Sequence, residues 1–475
     1  MQAGRLTSLR LTERFLERVE AYDRSGPRLN AVLEVNPDAR EIADALDRER
    51  ASSGSRGPLH GIPIFLKDNI ATADRQHTSA GSLALKDCVA PRDAFLVTKL
   101  REAGAVILGK ANMTEWANFL TTNMPAGYSS RGGQVKNPYG ENLSPGGSSS
   151  GSAVAVAADL CTVAVGTETS GSILSPANWN SIVGVKPTLG LISRSGIVPI
   201  AASQDTAGPF GRTVADAAVL LGAMTGVDVA DRATRASRRH ARRDYTEFLS
   251  GAGLERVRVG VPRAVFYERL AAAESPLIDT ALRALATLGV TLVDPADILT
   301  AREVTDFRSD VMLYEFKRDL NRYLQGLGET SPIRSIRELI RFNEARPREM
   351  LRYGQVLLLA AQSTSGLRAE TYRRSRAEDV RLSRADGIDR VMARERLDAL
   401  VFPGWSGAAI GAKAGYPSVI VPAGYTAEGA PLGLTFLGRA WSEPTLLRLA
   451  HAFERATRLR RPPPDVAPGP AAASL

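Results

Sequence analysis

Serine hydroxyls recur in two small-residue segments of the sequence, Gly147-Ser-Ser-Ser-Gly151 and Gly166-Thr-Glu-Thr-Ser-Gly-Ser172. A serine hydroxyl is a weak nucleophile until a base lies within hydrogen-bonding reach. Glycine lets backbone N–H groups turn toward a small ligand, which is what an oxyanion hole needs. Because flexible linkers do not normally recur at strand ends inside a compact domain, we interpret both segments as parts of a site for nucleophilic catalysis.

The first segment also matches the Gly-x-Ser-x-Gly pattern of the α/β-hydrolase nucleophile elbow. That elbow requires an apolar strand immediately before it, and an Asp and a His later in the chain. Residues 137–145 have the composition of a loop instead. The downstream histidines are His240, in an arginine-rich run, and His451, on an amphipathic helix. A Ser-His-Asp triad is therefore not expected.

Two further patterns argue against a metal or cofactor. Residues 104–111 approach the phosphate-binding P-loop, but Ala111 stands where that loop needs a hydroxyl for Mg²⁺. Cys88 and Cys161 have neither CxxC spacing nor a neighbouring histidine, so neither a zinc site nor a disulfide framework is predicted. We expect no cofactor and no metal, and the cysteine usage favours a reducing compartment.

The composition excludes several classes of protein. The chain has 475 residues, of which 44% are hydrophobic and 23% charged, so it is neither disordered nor collagen-like. The sequence contains no run of eighteen consecutive apolar residues, so no membrane-spanning helix is predicted. The first twenty residues lack the apolar core of a signal peptide. These features predict a cytoplasmic protein.

The net charge of +9 raises the question of a nucleic-acid partner. The densest basic cluster, residues 232–243, contains no aromatic residue on which a base could stack. No nucleic-acid partner is therefore expected.

Strand-like apolar runs alternate with helical stretches along the chain. The amphipathic helices fall within 6–49 and 94–103, and residues 303–395 are mostly helical. The strand candidates are 60–68, 105–108, 162–165, 257–261, 289–293, 397–402, 418–421 and 432–437. This alternation predicts an α/β fold, with a large, mixed, mostly parallel twisted sheet covered by helices on both faces.

The two serine segments, read with their neighbours, resemble the signature of the amidase signature family. The resemblance rests on several blocks in the family's order, and it covers nearly the whole chain. These blocks are His60-Gly-Ile-Pro-Ile-Phe-Leu-Lys-Asp-Asn69, residues 109–115, 145–157 and 165–177, Gly184-Val-Lys-Pro-Thr188, Ser203-Gln-Asp-Thr-Ala-Gly-Pro209, and residues 415–424 and 433–439.

The resemblance implies a catalytic triad of Lys67, Ser148 and Ser172, with a cis peptide bond between Gly147 and Ser148. It implies an oxyanion hole formed by the backbone N–H groups of Thr169, Ser170, Gly171 and Ser172. Lys67 ends an apolar run, so burial could keep its amine neutral enough to serve as the base. Ser172 would then form an acyl-enzyme that water hydrolyses.

Other residues in the matching blocks are expected to hold the structure together. Hydrogen bonds from these side chains would fix loops and helix ends, and Ser149, Ser150 and Ser152 would act as turn and N-cap groups. The loop-fixing group is Asn112, Glu115, Asp205, Arg212 and Asp216.

The family pattern further implies one amidase domain over residues 1–462. Its parts would be N-terminal helices in 1–55, the signature core in 56–225, a more variable and largely helical region in 226–396, and C-terminal strands with a helix in 397–462. Residues 463–475 are rich in Pro and Ala and are predicted to be disordered.

The position of Leu174 bears on the substrate. Relatives that act on carboxylate-bearing amides typically have an arginine there, and arginine is suited to gripping a carboxylate. We therefore expect an amidohydrolase for uncharged or hydrophobic amides, including C-terminal peptide amides, in a monomer or homodimer. The alternative is the A subunit of a glutamyl-tRNA(Gln) amidotransferase. The sequence assigns no substrate-binding residues, although the pocket walls are expected in the helical region.

Overall fold

The computed structural model describes residues 1, 4–251, 253–306 and 309–466. The strands in this part of the chain are β1 Val32–Val35, β2 Pro63–Lys67, β3 Val106–Ala111, β4 Tyr128–Ser129, β5 Gly133–Gln134, β6 Val163–Glu168, β7 Val183–Lys186, β8 Thr206–Gly211, β9 Arg258–Gly260, β10 Thr291–Val293, β11 Ala399–Pro403, β12 Ser418–Tyr425 and β13 Pro431–Leu437.

The α-helices are α1 Ser8–Arg18, α2 Ala39–Ser53, α3 Phe95–Glu102, α4 Ser150–Ala157, α5 Leu174–Trp179, α6 Val214–Met224, α7 Ser275–Thr287, α8 Ala301–Asp306, α9 Val311–Gly326, α10 Ile336–Glu344, α11 Pro347–Met350, α12 Val356–Ser363, α13 Glu370–Val380, α14 Asp389–Arg394, α15 Ala408–Ala414 and α16 Glu443–Thr457. Wider π-type turns occur at Val19–Arg24 and Arg381–Ile388. Short 3₁₀ helices occur at Leu83–Leu85, Glu115–Asn118, Arg232–Arg239, Thr246–Phe248, Leu254–Arg256 and Gly328–Thr330.

Eleven strands form one sheet, in the order β1-β3-β2-β6-β8-β7-β12-β13-β11-β9-β10, and β4 pairs with β5 separately. The predicted mixed α/β sheet is confirmed. Parallel pairing, however, is limited to the blocks β3-β2-β6 and β11-β9-β10. The strands between these blocks pair antiparallel, because β8 returns beside β6 and because a short turn joins β12 to β13.

Both faces of the sheet are buried, as the apolar strands require. Along β2, Ile64 and Leu66 pack into one core cluster with helices α3 and α6, whereas Phe65 packs into a second cluster with α4 and α5. Successive side chains of a strand point to opposite faces. Lys67 therefore shares the face of Phe65, which is the face that α4 and α5 cover.

The helical region packs over one end of the core. Phe316 and Leu320 of α9 and Leu339 of α10 form a third cluster with Trp116 and Phe119. Among the residues described within 303–395 there is no strand, as predicted. None of the helices that the structure describes combines the length and apolar character needed to cross a bilayer.

Strands β1, β4, β5, β7 and β8 were not predicted from the pattern of apolar residues, and β1 lies within residues 6–49, which were predicted to be helical. The sequence of β8, Thr-Ala-Gly-Pro-Phe-Gly, contains residues that normally mark turns. Gly208 and Pro209 are nevertheless at the centre of the sheet, between β6 and β7. The predicted disordered tail is described only as far as Val466, whose side chain is buried, and residues 467–475 lie outside the described part.

Gly208 allows β7 to approach β8, since a Cβ at residue 208 would lie 2.0 Å from the carbonyl oxygen of Val185. We expect Gly208→Ala to lower the free energy of unfolding by about 3 kcal/mol, because the strands would have to separate. Denaturant titration followed by circular dichroism measures the loss. Gly326→Ala is the control, because a Cβ at residue 326 meets nothing within 4 Å. Equal stability of the two variants would contradict the placement of β8.

Candidate active site

Lys67 ends β2 with its side chain fully buried. Its Nζ atom donates hydrogen bonds to Ser148 Oγ at 2.7 Å and to Thr167 Oγ1 at 2.9 Å, and it lies 3.3 Å from the carbonyl oxygen of Thr167. Thr167 belongs to the neighbouring parallel strand β6. Because β2 and β6 are parallel neighbours, Lys67 and Thr167 lie side by side at the carboxyl ends of these two strands.

Ser148 lies just before helix α4, and its peptide bond with Gly147 is cis, as the family resemblance implies. Its side chain is fully buried. Its carbonyl oxygen accepts a hydrogen bond from the N–H of Thr114 at 3.1 Å. Both its side chain and its backbone are thus held in place.

Ser172 lies in the loop between β6 and α5, and only 9% of its surface is exposed. Its carbonyl oxygen accepts a hydrogen bond at 3.3 Å from the N–H of Ser149, the residue after Ser148. The two serine segments are therefore joined through their backbones. The structure brings Lys67, Ser148 and Ser172 into one neighbourhood.

Two buried carboxylates hold the loop that contains Ser172. Glu168 accepts hydrogen bonds from the N–H groups of Ile173 at 2.8 Å and Leu174 at 3.0 Å. Asp205 accepts one from Thr169 Oγ1 at 2.6 Å. In the described part of the chain, the N–H groups of residues 169–172 have no hydrogen-bond acceptor. These N–H groups remain available to a ligand.

The protonation of Lys67 is set by opposing effects. Burial lowers the pKa of its amine to about 7, while the negative charges of Asp205 and Glu168 act to raise it. Burial also raises the pKa of the Asp205 carboxyl to about 7, against the effect of its hydrogen bonds. An amine with a pKa near neutrality can both accept and return a proton.

Two other lysines are also buried. Burial lowers the pKa of Lys110 and of Lys186 to about 8. Lys110 donates to the carbonyl oxygen of Ile70 and to Thr78 Oγ1, and Lys186 donates to the carbonyl oxygen of Pro187. Lys67 differs from both because its amine contacts the hydroxyl of Ser148, whose segment is joined to that of Ser172 by a backbone hydrogen bond. Burial alone would not have singled it out.

Thr167 and Asn69 are site residues that were not predicted from the sequence. The Thr167 hydroxyl accepts hydrogen bonds from both Lys67 Nζ and Asn69 Nδ2, the latter at 3.0 Å. Both residues lie inside the matching sequence blocks, which was the available signal. Nothing in a single sequence indicated that they would meet.

The residues expected to fix loops and helix ends do so. Asn112 Oδ1 accepts hydrogen bonds from Met113 N and Ser129 Oγ, and Glu115 accepts one from Ser130 N at 2.7 Å. Arg212 contacts Asp159 at 2.7 Å and the carbonyl oxygen of Cys161 at 2.8 Å. Asp216 forms a capping box with Thr213 at the start of α6. Asp205 accepts hydrogen bonds from the backbone N–H groups of Ile200 and Ala201, in addition to the one from Thr169.

The prediction that Ser149, Ser150 and Ser152 act as turn and N-cap groups holds for position but not for side-chain capping of helix α4. Ser149 occupies the N-cap position without a side-chain capping bond. Its hydroxyl donates to the carbonyl oxygen of Thr167 at 2.9 Å, and Ser152 donates to that of Val165 at 3.1 Å. Ser150 donates to the carbonyl oxygen of Gly146. The small side chains let α4 approach β6 closely, so the hydroxyls bond to the strand and the preceding loop instead.

A cavity of about 680 Å³ lies beside the site. Asn69, Thr167 and Thr169 form part of its wall, and Arg322 and Tyr323 of α9 contribute another part. Its volume is within the range of small-molecule pockets. The helical region thus supplies wall residues next to the loop of Ser172.

No group of three or more His, Cys, Asp or Glu side chains able to hold a metal ion occurs among the described residues. Cys88 and Cys161 are both buried, and they do not form a disulfide.

Comparison of the sequence and the fold with known proteins identifies the family of this chain. The model of the Amidase family matches residues 10–413. A protein of Arabidopsis thaliana named "probable amidase" is 43% identical, with 98% of this chain and 89% of the relative covered. The A subunit of the glutamyl-tRNA(Gln) amidotransferase of Halorhodospira halophila is 36% identical, with 98% and 97% covered. The crystal structure of the peptide amidase of Stenotrophomonas maltophilia superposes with a TM-score of 0.93 at 48% identity, with 98% and 96% covered. The chain therefore belongs to the amidase family and is a hydrolase that acts on amide bonds.

Proposed function

We propose that the protein hydrolyses the carboxamide C–N bond of uncharged or hydrophobic amides, including C-terminal peptide amides. The reaction would use Lys67, Ser148 and Ser172 and pass through an acyl-enzyme on Ser172. The observation that carries the proposal is the 2.7 Å hydrogen bond between the buried amine of Lys67 and Ser148 Oγ.

The first step forms the bond between the enzyme and the acyl group. Neutral Lys67 takes the proton of Ser148, and Ser148 takes the proton of Ser172 as Ser172 Oγ attacks the amide carbon. The carbonyl oxygen becomes negatively charged in the tetrahedral intermediate. The free N–H groups of residues 169–172 would stabilise that charge as an oxyanion hole.

The second step breaks the amide bond. An amide nitrogen leaves only once it is protonated, so the proton returns from Lys67 through Ser148 to the nitrogen. Ammonia or an amine departs, and Ser172 keeps the acyl group as an ester. Water then attacks that ester, with the same relay accepting its proton, and releases the carboxylic acid and free Ser172.

Leu174 and the comparisons support the proposed substrate class. The side chain of Leu174 is fully buried and uncharged, so this position offers no cation to a substrate carboxylate. The 48% identity and TM-score of 0.93 to a peptide amidase support the same interpretation.

The second candidate function is that of the A subunit of a glutamyl-tRNA(Gln) amidotransferase. It is favoured by the 36% identity to the Halorhodospira halophila protein over almost the whole of both chains. Such a protein would hydrolyse glutamine within a complex. The absence of a positive charge at Leu174 argues against it.

The wider proposal is a single amidase domain over residues 1–462, acting in the cytoplasm as a monomer or homodimer. One sheet takes strands from residues 32–211 and from residues 399–437, which supports a single core. Cys88 and Cys161 form no disulfide, which suits a reducing compartment.

We expect Ser172→Ala to lower kcat by at least about 10³-fold, because the acyl-enzyme could no longer form. Ammonia release measures the loss, and circular dichroism checks that the variant is folded. Ser175→Ala is the matched control, since it removes a buried hydroxyl three residues away, and its activity should stay close to that of the unmodified enzyme. Substantial residual turnover by Ser172→Ala would mean that another group is the nucleophile.

The substrate class can be tested with pairs of amides that differ only in charge. We expect kcat/KM for malonamide and glutaramide to exceed that for malonamate and glutaramate by about 10²-fold, because no arginine at position 174 grips a carboxylate. Free glutamine should likewise be a poor substrate. Preference for the carboxylate-bearing member of each pair, or for glutamine, would overturn the substrate class and favour the amidotransferase alternative.

A further inference from the structure

We propose that the indole of Trp405 forms a wall of the active site and binds an apolar or aromatic side chain of the amide substrate. This inference rests on the proposed function, and it assigns a specificity-determining residue to it.

Trp405 lies against the loop that contains Ser172. It follows strand β11 and precedes helix α15, and its carbonyl oxygen accepts a hydrogen bond from Ala408 N at 3.0 Å. A Cβ built on Gly171 would lie 3.1 Å from Cε3 and 3.2 Å from Cζ3 of the indole. The ring therefore covers the backbone of the residue immediately before Ser172.

Gly171 is suited to this contact for two reasons. Its φ of +79° is in the left-handed region, which residues with side chains rarely adopt. The position of the ring also leaves no room for a side chain without displacement. Glycine at position 171 thus allows the indole to lie directly against the loop.

The indole is also accessible. Trp405 is 42% exposed, whereas Ser172 is 9% exposed. Trp405 is the one aromatic residue among the large, exposed hydrophobic residues that the structure describes; the others are Val229, Leu299, Val356 and Leu359. Isolated exposed hydrophobic residues are common on protein surfaces. An exposed tryptophan packed on the loop of a nucleophile is a different case, because a bound substrate would cover it.

The chemistry of the ring determines what it binds. An indole offers a large, rigid apolar surface that packs well against aromatic and aliphatic groups. Ser170, the residue before Gly171, is exposed, so the loop that contains Ser172 is open to solvent next to this contact. The geometry favours amides with a bulky apolar group close to the scissile bond.

The test compares two amides that differ only in this group, N-acetylphenylalaninamide and N-acetylglycinamide. We expect Trp405→Ala to lower the ratio of kcat/KM for the phenylalanine amide over the glycine amide by about tenfold, mainly through KM. Trp405→Phe should restore most of the ratio, because it keeps an aromatic surface. Leu299→Ala is the control, since Leu299 is an exposed apolar residue outside the proposed site, and this variant should leave both values unchanged.

A binding measurement separates this proposal from the proposed function. Calorimetry with N-acetylphenylalaninamide on Ser172→Ala and on the double variant Ser172→Ala, Trp405→Ala needs no turnover, and we expect the second substitution to weaken binding about tenfold. If the enzyme cleaves neither amide but binding depends on Trp405, the proposed function is contradicted, whereas the proposed role of Trp405 in binding is supported. An unchanged ratio, an equal loss for both amides or unchanged binding would each overturn the role of Trp405.

Discussion

The hydrogen bond between a buried lysine and a serine hydroxyl is the interaction on which the site depends. Burial disfavours the charged form of an amine, so the interior keeps Lys67 close to the point at which it can exchange a proton. The pKa of the amine stays low only if its hydrogen-bond partners carry no full negative charge, because such a charge would stabilise the protonated form. Ser148 and Thr167 are such partners, and the architecture places both beside Lys67.

The sheet and its helices explain how this arrangement is maintained. Parallel pairing of β2 with β6 sets Lys67 beside Thr167, and the alternation of side chains turns Lys67 toward α4 and α5. The two carboxylates of Glu168 and Asp205 remain near enough to oppose the effect of burial on the lysine, yet both are occupied by donors from the Ser172 loop. The groups that moderate the amine are therefore the groups that hold the loop. A substitution of either carboxylate would therefore change both the pKa of Lys67 and the hydrogen bonds that hold the Ser172 loop.

The sequence alone could predict the family, the mixed sheet and the identity of the candidate catalytic residues, because short blocks carry the family pattern. It could not predict the distances between those residues, since Lys67 and Ser148 are 81 positions apart. Strand β8 was missed because Gly208 and Pro209 normally indicate turns, whereas here they permit close approach of neighbouring strands. Ser149 does not form a capping bond because α4 packs on β6, where its oxygen accepts a hydrogen bond from Thr167 N instead. The hydroxyls of Ser149 and Ser152 also donate to carbonyl oxygens of β6. Trp405 had no recognisable motif, and only the fold places it on the loop of Ser172.

The central claim is that Lys67 is uncharged in the working enzyme, and its titration tests that claim most directly. The chain contains eight lysines, and ¹³C labelling at Cε with Lys67→Ala for assignment would identify the resonance of this one. We predict a titration midpoint near pH 7, so that the neutral form dominates above that pH and is lost below it. A midpoint near 10.5, the ordinary value for a lysine amine, would show that Lys67 is charged at neutral pH and would contradict its proposed role as the base.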